Sequence, residues 1–117
     1  LKHYKKDLAL RQEVARKYNE KLIMENRELI LPYIDKNCTS AYAQYSIRVK
    51  NRDKIQQNLS NTPITNNQYT NIPTAIHYPM PLHLQECFSY LGYKEGDFPV
   101  AEKVSKEILS LPMNPYL

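Results

Sequence analysis

Residues 72–85 constrain the fold more than any other stretch, because their hydrophobic pattern changes character halfway along. They read Ile-Pro-Thr-Ala-Ile-His-Tyr-Pro-Met-Pro-Leu-His-Leu-Gln. Residues 72, 74 and 76 alternate with residues 73, 75 and 77, and this period of two is typical of a short strand. Pro79 and Pro81 then remove two backbone donors, so a strand that begins here must end before them.

The spacing that follows these prolines favours a helix over residues 82–91. Gly92 closes this pattern and suits a helix C-terminus. The expected buried face consists of Leu82, Leu84, Cys87, Phe88 and Leu91. His77 and Tyr78 therefore lie at a junction between a strand and a helix, where ligand groups are commonly held.

Length and hydropathy predict one soluble globular domain. The chain has 117 residues, of which 42% are hydrophobic and 24% charged, enough for a modest core. No apolar run approaches the roughly 20 residues that span a bilayer, and no signal-peptide layout opens the chain. We therefore expect a cytoplasmic protein with no membrane partner, in which Cys38 and Cys87 remain reduced thiols.

The net charge of +4 raises the question of a nucleic-acid partner. The basic residues of the first helix alternate with acidic ones, which is typical of a solvated helix face rather than a basic binding stripe. The ten tyrosines are scattered and form no stacking platform. No nucleic acid is therefore expected as a partner.

The first helix is predicted over residues 4–27 and carries a one-sided stripe. Its members recur at steps of four and three: Tyr4, Leu8, Arg11, Ala15, Tyr18 and Leu22. No residue that could cap the helix precedes it, so the chain is expected to be cut from a longer protein.

The whole pattern predicts an α/β (α+β) fold, a short mostly antiparallel sheet flanked by helices. Strands are expected over residues 29–32, 42–49 and 72–77, and helices over residues 4–27, 51–59, 82–91 and 98–108. In the second strand Ala43, Tyr45, Ile47 and Val49 should face the core. The order of the strands is left open.

Several local features accompany this outline. Asn51 and Asp97 are expected to cap the helices that follow them, with Pro99 in a first helical turn. Residues 109–117 are expected to be extended and to supply no closing element. Residues 60–71 form an Asn- and Thr-rich loop, interpreted either as a mobile surface insertion or as a flap near the ligand edge.

The histidines allow more than one interpretation. His77 and His83 are followed by Glu86 and Cys87, but the spacing does not match that of a usual zinc site. Cys87 falls on the expected buried face, which disfavours a Cys87–His83 nucleophilic pair. For His77 a structural role and a binding role both remain open.

Three segments together resemble a known family. They are residues 72–85, residues 91–102 with Leu-Gly-Tyr-Lys-Glu-Gly-Asp-Phe-Pro-Val-Ala-Glu, and residues 108–117 with Ile-Leu-Ser-Leu-Pro-Met-Asn-Pro-Tyr-Leu. In this order they are similar to the C-terminal part of the pyridoxal-phosphate-dependent nucleotide-sugar aminotransferases, the DegT/DnrJ/EryC1/StrS family. Residues 1–27 resemble the helix that links the large domain to the small one, and residues 28–117 the small domain.

The chain departs from the family at two places. Asn71 stands where the family usually has a glycine before Ile-Pro-Thr, although asparagine also tolerates a left-handed backbone. Residues 60–71 are longer than the usual connection.

The resemblance implies a parent enzyme that moves an amino group, usually from glutamate, to a nucleotide-linked keto-sugar. Pyridoxal phosphate would be held mainly by a large domain outside this chain, and the parent would be a homodimer. No lysine here matches the family's Schiff-base motif, so the chain is expected to contribute neither catalytic nor cofactor-binding residues. His77 and Tyr78 match the family's His-Tyr pair that faces the nucleotide-sugar, and their surroundings most resemble members acting on 3-keto sugars.

Two other functions remain open on the sequence. One is a domain of a pyridoxal-phosphate-dependent sugar dehydratase, and the other is a non-catalytic regulatory or interaction domain that shares the fold. The residue that separates transfer from dehydration lies outside the chain. In either case an isolated piece of this kind should self-associate to cover its apolar surface.

Overall fold

The computed structural model describes residues 2–25, 28–63 and 69–117. Helix α1 spans Tyr4–Glu25, close to the predicted range, and residues 26–27 of the prediction lie outside the described part. Ala15 is buried and Tyr18 and Leu22 pack against the core, which confirms the second half of the stripe. No helix among the described ranges is both long and apolar enough to cross a bilayer.

The central sheet pairs two antiparallel strands, β1 (Tyr45–Arg48) and the strand at Ile108–Leu111, numbered β4 below. The extended conformation predicted for residues 109–117 is thus confirmed at residues 109–111, but these residues pair with β1, so the expectation that no closing element is supplied is wrong. Four residues are too few to show the alternation of a strand. They also follow directly on a segment with helical spacing, so the sequence pattern does not distinguish them from the end of that helix.

The other two predicted strands are reduced to single bridges on either side of this pair. Ile30 bridges Arg48, and Ala75 bridges Ser110, both in antiparallel orientation. The order across the layer is therefore residue 30, β1, β4, residue 75. The predicted α/β (α+β) class, with a short antiparallel sheet and flanking helices, is confirmed.

The core lies between α1 and the sheet. Tyr45 and Leu109 are its largest fully buried side chains, joined by Ala15, Ile47 and Val49. The predicted inward face is thus correct at residues 45, 47 and 49. It is wrong at Ala43, which is exposed, because the chain turns at Tyr42 with a φ of 44° before the strand begins.

Helix α2 spans Arg52–Ser60, close to the predicted range, and its Ile55 and Leu59 pack against the core. Asn51 occupies the position before the helix, but its side chain makes no capping bond, so that prediction is wrong.

A short antiparallel pair, β2 (Thr62–Pro63) and β3 (Tyr69–Thr70), occupies the ends of the predicted 60–71 loop. Residues 64–68, on which the choice between insertion and flap depends, lie outside the described part.

The helix predicted over residues 82–91 is instead two short 3-10 helices, Leu82–Leu84 and Glu86–Leu91. A 3-10 turn holds three residues, so side chains spaced for an α-helix no longer share one face. Leu82 is 66% exposed, and Cys87 is also exposed, which corrects its expected burial. Gly92 does end the segment in the left-handed region, with a φ of 75°, as predicted.

Helix α3 spans Pro99–Glu107 with proline in its first turn, as predicted. Asp97 does not cap it, because its carboxylate accepts from the amide of Lys94 and closes the preceding turn. Glu102 serves the helix start instead, since its Oε1 accepts from the amides of Gly96 and Phe98.

Candidate functional site

An open groove of about 420 Å³ lies between the segment after the Ala75 bridge and helix α3. One wall contains His77, Tyr78, Met80 and Leu82, and the other contains Phe98, Ala101, Val104 and Ile108. In the second wall, Ala101 and Val104 belong to α3 while Phe98 and Ile108 flank its two ends, and Phe98 and Ala101 are exposed. The segment predicted as a strand-to-helix junction therefore forms the edge of a mostly apolar groove.

His77 is held at this edge by the sheet. Its Nδ1 lies 3.1 Å from the hydroxyl oxygen of Ser110, whose own oxygen lies 2.8 Å from that of Ser46. His77 also borders a second groove of about 300 Å³ that contains Gln44 and Met113. The imidazole thus separates two depressions, and its orientation is set by a chain of hydroxyl groups.

Tyr78 lies beside His77 but faces solvent. Its side chain is 71% exposed, and its ring meets the imidazole edge-on with the centroids 5.9 Å apart. The peptide bond between the two residues is cis. An exposed ring face and a hydroxyl are thus both accessible to a molecule in the groove.

His83 and Glu102 join the two walls below the groove. His83 Nε2 and Glu102 Oε1 are 3.0 Å apart, and the two side chains are only 7% and 11% exposed. Burial raises the pKa of Glu102, but hydrogen bonds from the Gly96 amide, His83 and the Phe98 amide outweigh it, so the pKa lies below its ordinary value. The pair is a structural brace.

Phe98 covers this brace from the groove side. Its ring lies 4.7 Å from that of His83 and 5.0 Å from that of Tyr93, both measured between centroids. One aromatic side chain therefore contacts His83 of this pair and forms part of the groove wall.

The structure brings together only part of what the sequence singled out. His77 and Tyr78 meet at the groove, whereas His83 is paired with Glu102 and Cys87 is exposed. Within the described ranges, no group of three or more His, Cys, Asp or Glu side chains could hold a metal ion.

Sequence reasoning missed Ser46 and Ser110. A signal was present, because Ser110 is a polar residue inside the apolar run of residues 108–111 and is nearly buried. Buried hydroxyl groups require hydrogen-bond partners, and this one reaches His77.

The groove does not offer the groups that a phosphorylated cofactor requires. Among the described residues that line it, none is a lysine or an arginine, so it supplies neither an amine for a covalent link nor a cation for a phosphate. The residues present therefore do not fit pyridoxal phosphate by themselves.

Comparison with known proteins identifies the family of this chain. Residues 1–117 match the DegT/DnrJ/EryC1/StrS aminotransferase family. The chain belongs to this family.

Three relatives illustrate the match. A UDP-2-acetamido-2-deoxy-3-oxo-D-glucuronate aminotransferase of Pseudomonas aeruginosa is 35% identical over all 117 residues, which is 29% of its own length. A Pleiotropic regulatory protein of Geobacillus stearothermophilus is 49% identical over 76 residues, 65% of this chain and 18% of that protein. The crystal structure of S. venezuelae DesV with a ketimine intermediate superposes with a TM-score of 0.87 at 26% identity, covering 100% of this chain and 29% of DesV.

This chain thus spans less than a third of the length of the relatives that it matches from end to end. Those relatives therefore contain sequence beyond the part that corresponds to this chain.

Proposed function

We propose that this chain is the small-domain part of a nucleotide-sugar aminotransferase that uses pyridoxal phosphate. Residues 1–27 are the helix that links it to a large domain, and residues 28–117 are the small domain. The family match over the whole chain supports this, as does the name of the P. aeruginosa relative, an aminotransferase of a UDP-linked 3-oxo sugar.

In this proposal the large domain supplies the chemistry. A lysine of that domain would hold the cofactor, which would supply the chemistry for amino-group transfer from glutamate to a keto-sugar. This chain adds no catalytic residue and is inactive alone, because its groove has no lysine among the described residues. The parent is a cytoplasmic homodimer that acts in polysaccharide biosynthesis.

His77 and Tyr78 bind the nucleotide-sugar. The observation that carries this assignment is the position of His77, whose Nδ1 is held by Ser110 at the edge of an open groove. The ring can hydrogen-bond a sugar or phosphate oxygen, and the exposed Tyr78 offers both a hydroxyl and a ring face. Pro79 and Pro81 limit the freedom of the segment that follows, so fewer conformations are lost when the ligand binds.

The cofactor assignment is tested on the full-length protein that carries this chain. The protein is incubated with pyridoxal phosphate, unbound cofactor is removed, and the visible absorbance is recorded. Bound cofactor is then fixed by borohydride reduction, and the labelled peptide is identified. A labelled lysine outside this chain supports the aminotransferase. Bound cofactor without a labelled lysine identifies a sugar dehydratase instead.

The substrate-binding residues are tested by calorimetry with UDP-N-acetylglucosamine as the probe. His77→Gln should raise the dissociation constant about tenfold, the equivalent of one lost hydrogen bond to a polar ligand. The control is Tyr33→Phe, because Tyr33 is 84% exposed and does not line the groove. Equal binding by the His77 variant and wild type would contradict the assignment.

A regulatory protein is the second candidate, and one observation favours it. The G. stearothermophilus relative, 49% identical over 76 residues, is named as a pleiotropic regulatory protein. If the full-length protein binds no pyridoxal phosphate, this candidate replaces the aminotransferase.

A further inference from the structure

The groove of about 420 Å³ beside helix α3 has few polar groups that are free to bind a ligand. His83 and Ser105 border it, but His83 is paired with the carboxylate of Glu102, and the Ser105 hydroxyl donates to the Glu102 carbonyl. Among the described residues that line the groove, three further polar side chains remain, and all belong to residues 77–85. A ligand of this groove must therefore be mainly apolar, with a small number of hydrogen-bonding groups.

Gln85 supplies one of these polar groups, a side-chain amide. Its backbone is held on both sides, because its amide donates to the Leu82 carbonyl at 3.1 Å and its carbonyl accepts from the Phe88 amide at 2.9 Å. The side chain has one contact within the described ranges, a weak one of 3.9 Å between Oε1 and the thiol of Cys87. Those ranges contain no buried side-chain nitrogen or oxygen without a partner, so the amide nitrogen of Gln85 is accessible. Gln85 thus presents a donor and an acceptor on a fixed backbone.

The three parts of a nucleotide-sugar differ in how well they suit such a groove. A diphosphate needs cations, and none of the described residues lining the groove is a lysine or an arginine. A sugar carries hydroxyl groups around its ring, and most of them would lose their hydrogen bonds to water against apolar side chains. A nucleobase has two flat faces that stack on apolar and aromatic side chains, and its polar groups lie along the edge of the ring. The base is therefore the part that matches this groove.

We propose that this groove binds the nucleobase of the nucleotide-sugar and that Gln85 hydrogen-bonds the edge of the base. In uracil a ring N–H lies next to a carbonyl oxygen, and this pair complements the acceptor and the donor of a primary amide. The proposal rests on the proposed function, in which His77 binds the sugar or phosphate of the same ligand at the edge of the groove. Gln85 is then a specificity-determining residue.

The position of the base is measured by NMR of the full-length protein, saturated with pyridoxal phosphate and labelled with carbon-13 at its methionine methyl groups. Met80 lines this groove and Met113 lines the second one. Their signals are assigned by their loss in Met80→Leu and Met113→Leu. Because an aromatic ring shifts the signal of a methyl group beside it, uridine should shift the Met80 signal and leave that of Met113 unchanged. N-acetylglucosamine 1-phosphate, which has no base, should leave Met80 unchanged.

The role of Gln85 is measured by calorimetry with uridine. Gln85→Leu removes both hydrogen-bonding groups from a side chain of similar size, so it should raise the dissociation constant of uridine about tenfold. The matched control is Gln57→Leu, because Gln57 is an exposed residue of α2 that does not line the groove. This control should bind uridine as wild type does.

Two results would overturn the proposal. One is a Met80 signal that stays unchanged when UDP-N-acetylglucosamine binds, and the other is an equal affinity for uridine in wild type and Gln85→Leu. The NMR measurement on wild type decides the position of the base even if Gln85→Leu does not fold.

The same probes separate this proposal from the function on which it rests. If UDP-N-acetylglucosamine binds wild type more tightly than His77→Gln but leaves Met80 unchanged, the proposed function stands and the base lies elsewhere. If uridine shifts Met80 and loses affinity in Gln85→Leu, while His77→Gln binds UDP-N-acetylglucosamine as wild type does, the base site stands and the role of His77 is wrong. If neither uridine nor UDP-N-acetylglucosamine binds, both are wrong.

Discussion

Tyr45 is fully buried in the core, and this burial shifts the pKa of its hydroxyl group. It is 0% exposed, its hydroxyl donates to Oδ1 of Asn19, and its ring stacks on that of Tyr18 at 4.9 Å. Burial, with smaller contributions from Tyr42 and Tyr18, raises its pKa to about 12 from 10.0. The folded protein therefore disfavours the phenolate more strongly than the unfolded chain does.

This coupling predicts a loss of stability at alkaline pH. Because the folded pKa of Tyr45 exceeds the unfolded value, its contribution is complete below about pH 10 and is lost as the pH rises towards 12. Tyr45→Phe should cost about 1 kcal/mol at neutral pH, through the bond to Asn19, and should flatten the alkaline decline. Urea unfolding as a function of pH measures both effects.

The matched control for this prediction is Tyr33→Phe, since Tyr33 is largely exposed. It should leave the free energy of unfolding and its pH dependence within about 0.5 kcal/mol of wild type. An alkaline decline as steep in Tyr45→Phe as in wild type would contradict the role given to Tyr45.

At the scale of elements, the start of α3 depends on Glu102 rather than on a conventional cap. Its Oε1 accepts from His83 at 3.0 Å and from the amides of Gly96 at 2.9 Å and Phe98 at 3.3 Å. The helix, the turn before it and the first 3-10 helix (Leu82–Leu84) therefore meet at one carboxylate.

The pH dependence at Glu102 has the opposite sign to that at Tyr45. Its folded pKa lies below the ordinary 4.5, so its contribution is complete above that value and is lost as the pH falls through the lowered pKa. Glu102→Gln should destabilise the fold at neutral pH and reduce the loss of stability on acidification. Denaturant unfolding between neutral and acid pH measures this change.

Glu95→Gln is the control for the acid series, because Glu95 is 78% exposed and its 4.0 Å contact with Lys106 is a surface ion pair. Such pairs contribute little to stability. Equal acid sensitivity in wild type and in Glu102→Gln would rule out the carboxylate as the brace of this helix.

At the scale of the whole molecule, the chain exposes more surface than a compact monomer of its mass. Its accessible surface is 9207 Å², against about 6,600 Å² expected for 13.8 kDa. Its radius of gyration is 17.0 Å, against about 13 Å expected for its length. The exposed apolar side chains of the groove account for part of this excess surface. Removing them from water would lower the free energy of the folded chain.

We therefore expect the 117-residue chain to self-associate as its concentration rises. Leu82→Gln should weaken the association, because Leu82 is a large, exposed apolar side chain of the groove. Tyr33→Gln changes a large side chain outside the groove that is even more exposed than Leu82, and it should leave the association unchanged. Sedimentation measures both, and a monomeric wild-type profile at high concentration would refute the expectation.

Features that depend on local periodicity are predictable from the amino-acid sequence. A long one-sided stripe fixes α1, alternation fixes the inward face of Tyr45, Ile47 and Val49, and a left-handed glycine ends the segment at Gly92. The fold class follows from these elements, because each has one apolar face that must be covered. His77 and Tyr78 could be identified as candidates because the prolines at residues 79 and 81 end the strand pattern directly after them.

Features that depend on contacts between distant residues became visible in the folded chain. The Ser46–Ser110–His77 chain joins three separate segments, and nothing in the local pattern of any one segment specifies the other two. The closing strand β4 is likewise recognisable only once it pairs with β1. Glu102, and not Asp97, stabilises the start of α3, because the fold brings its buried carboxylate next to His83 and to the backbone amides of residues 96 and 98.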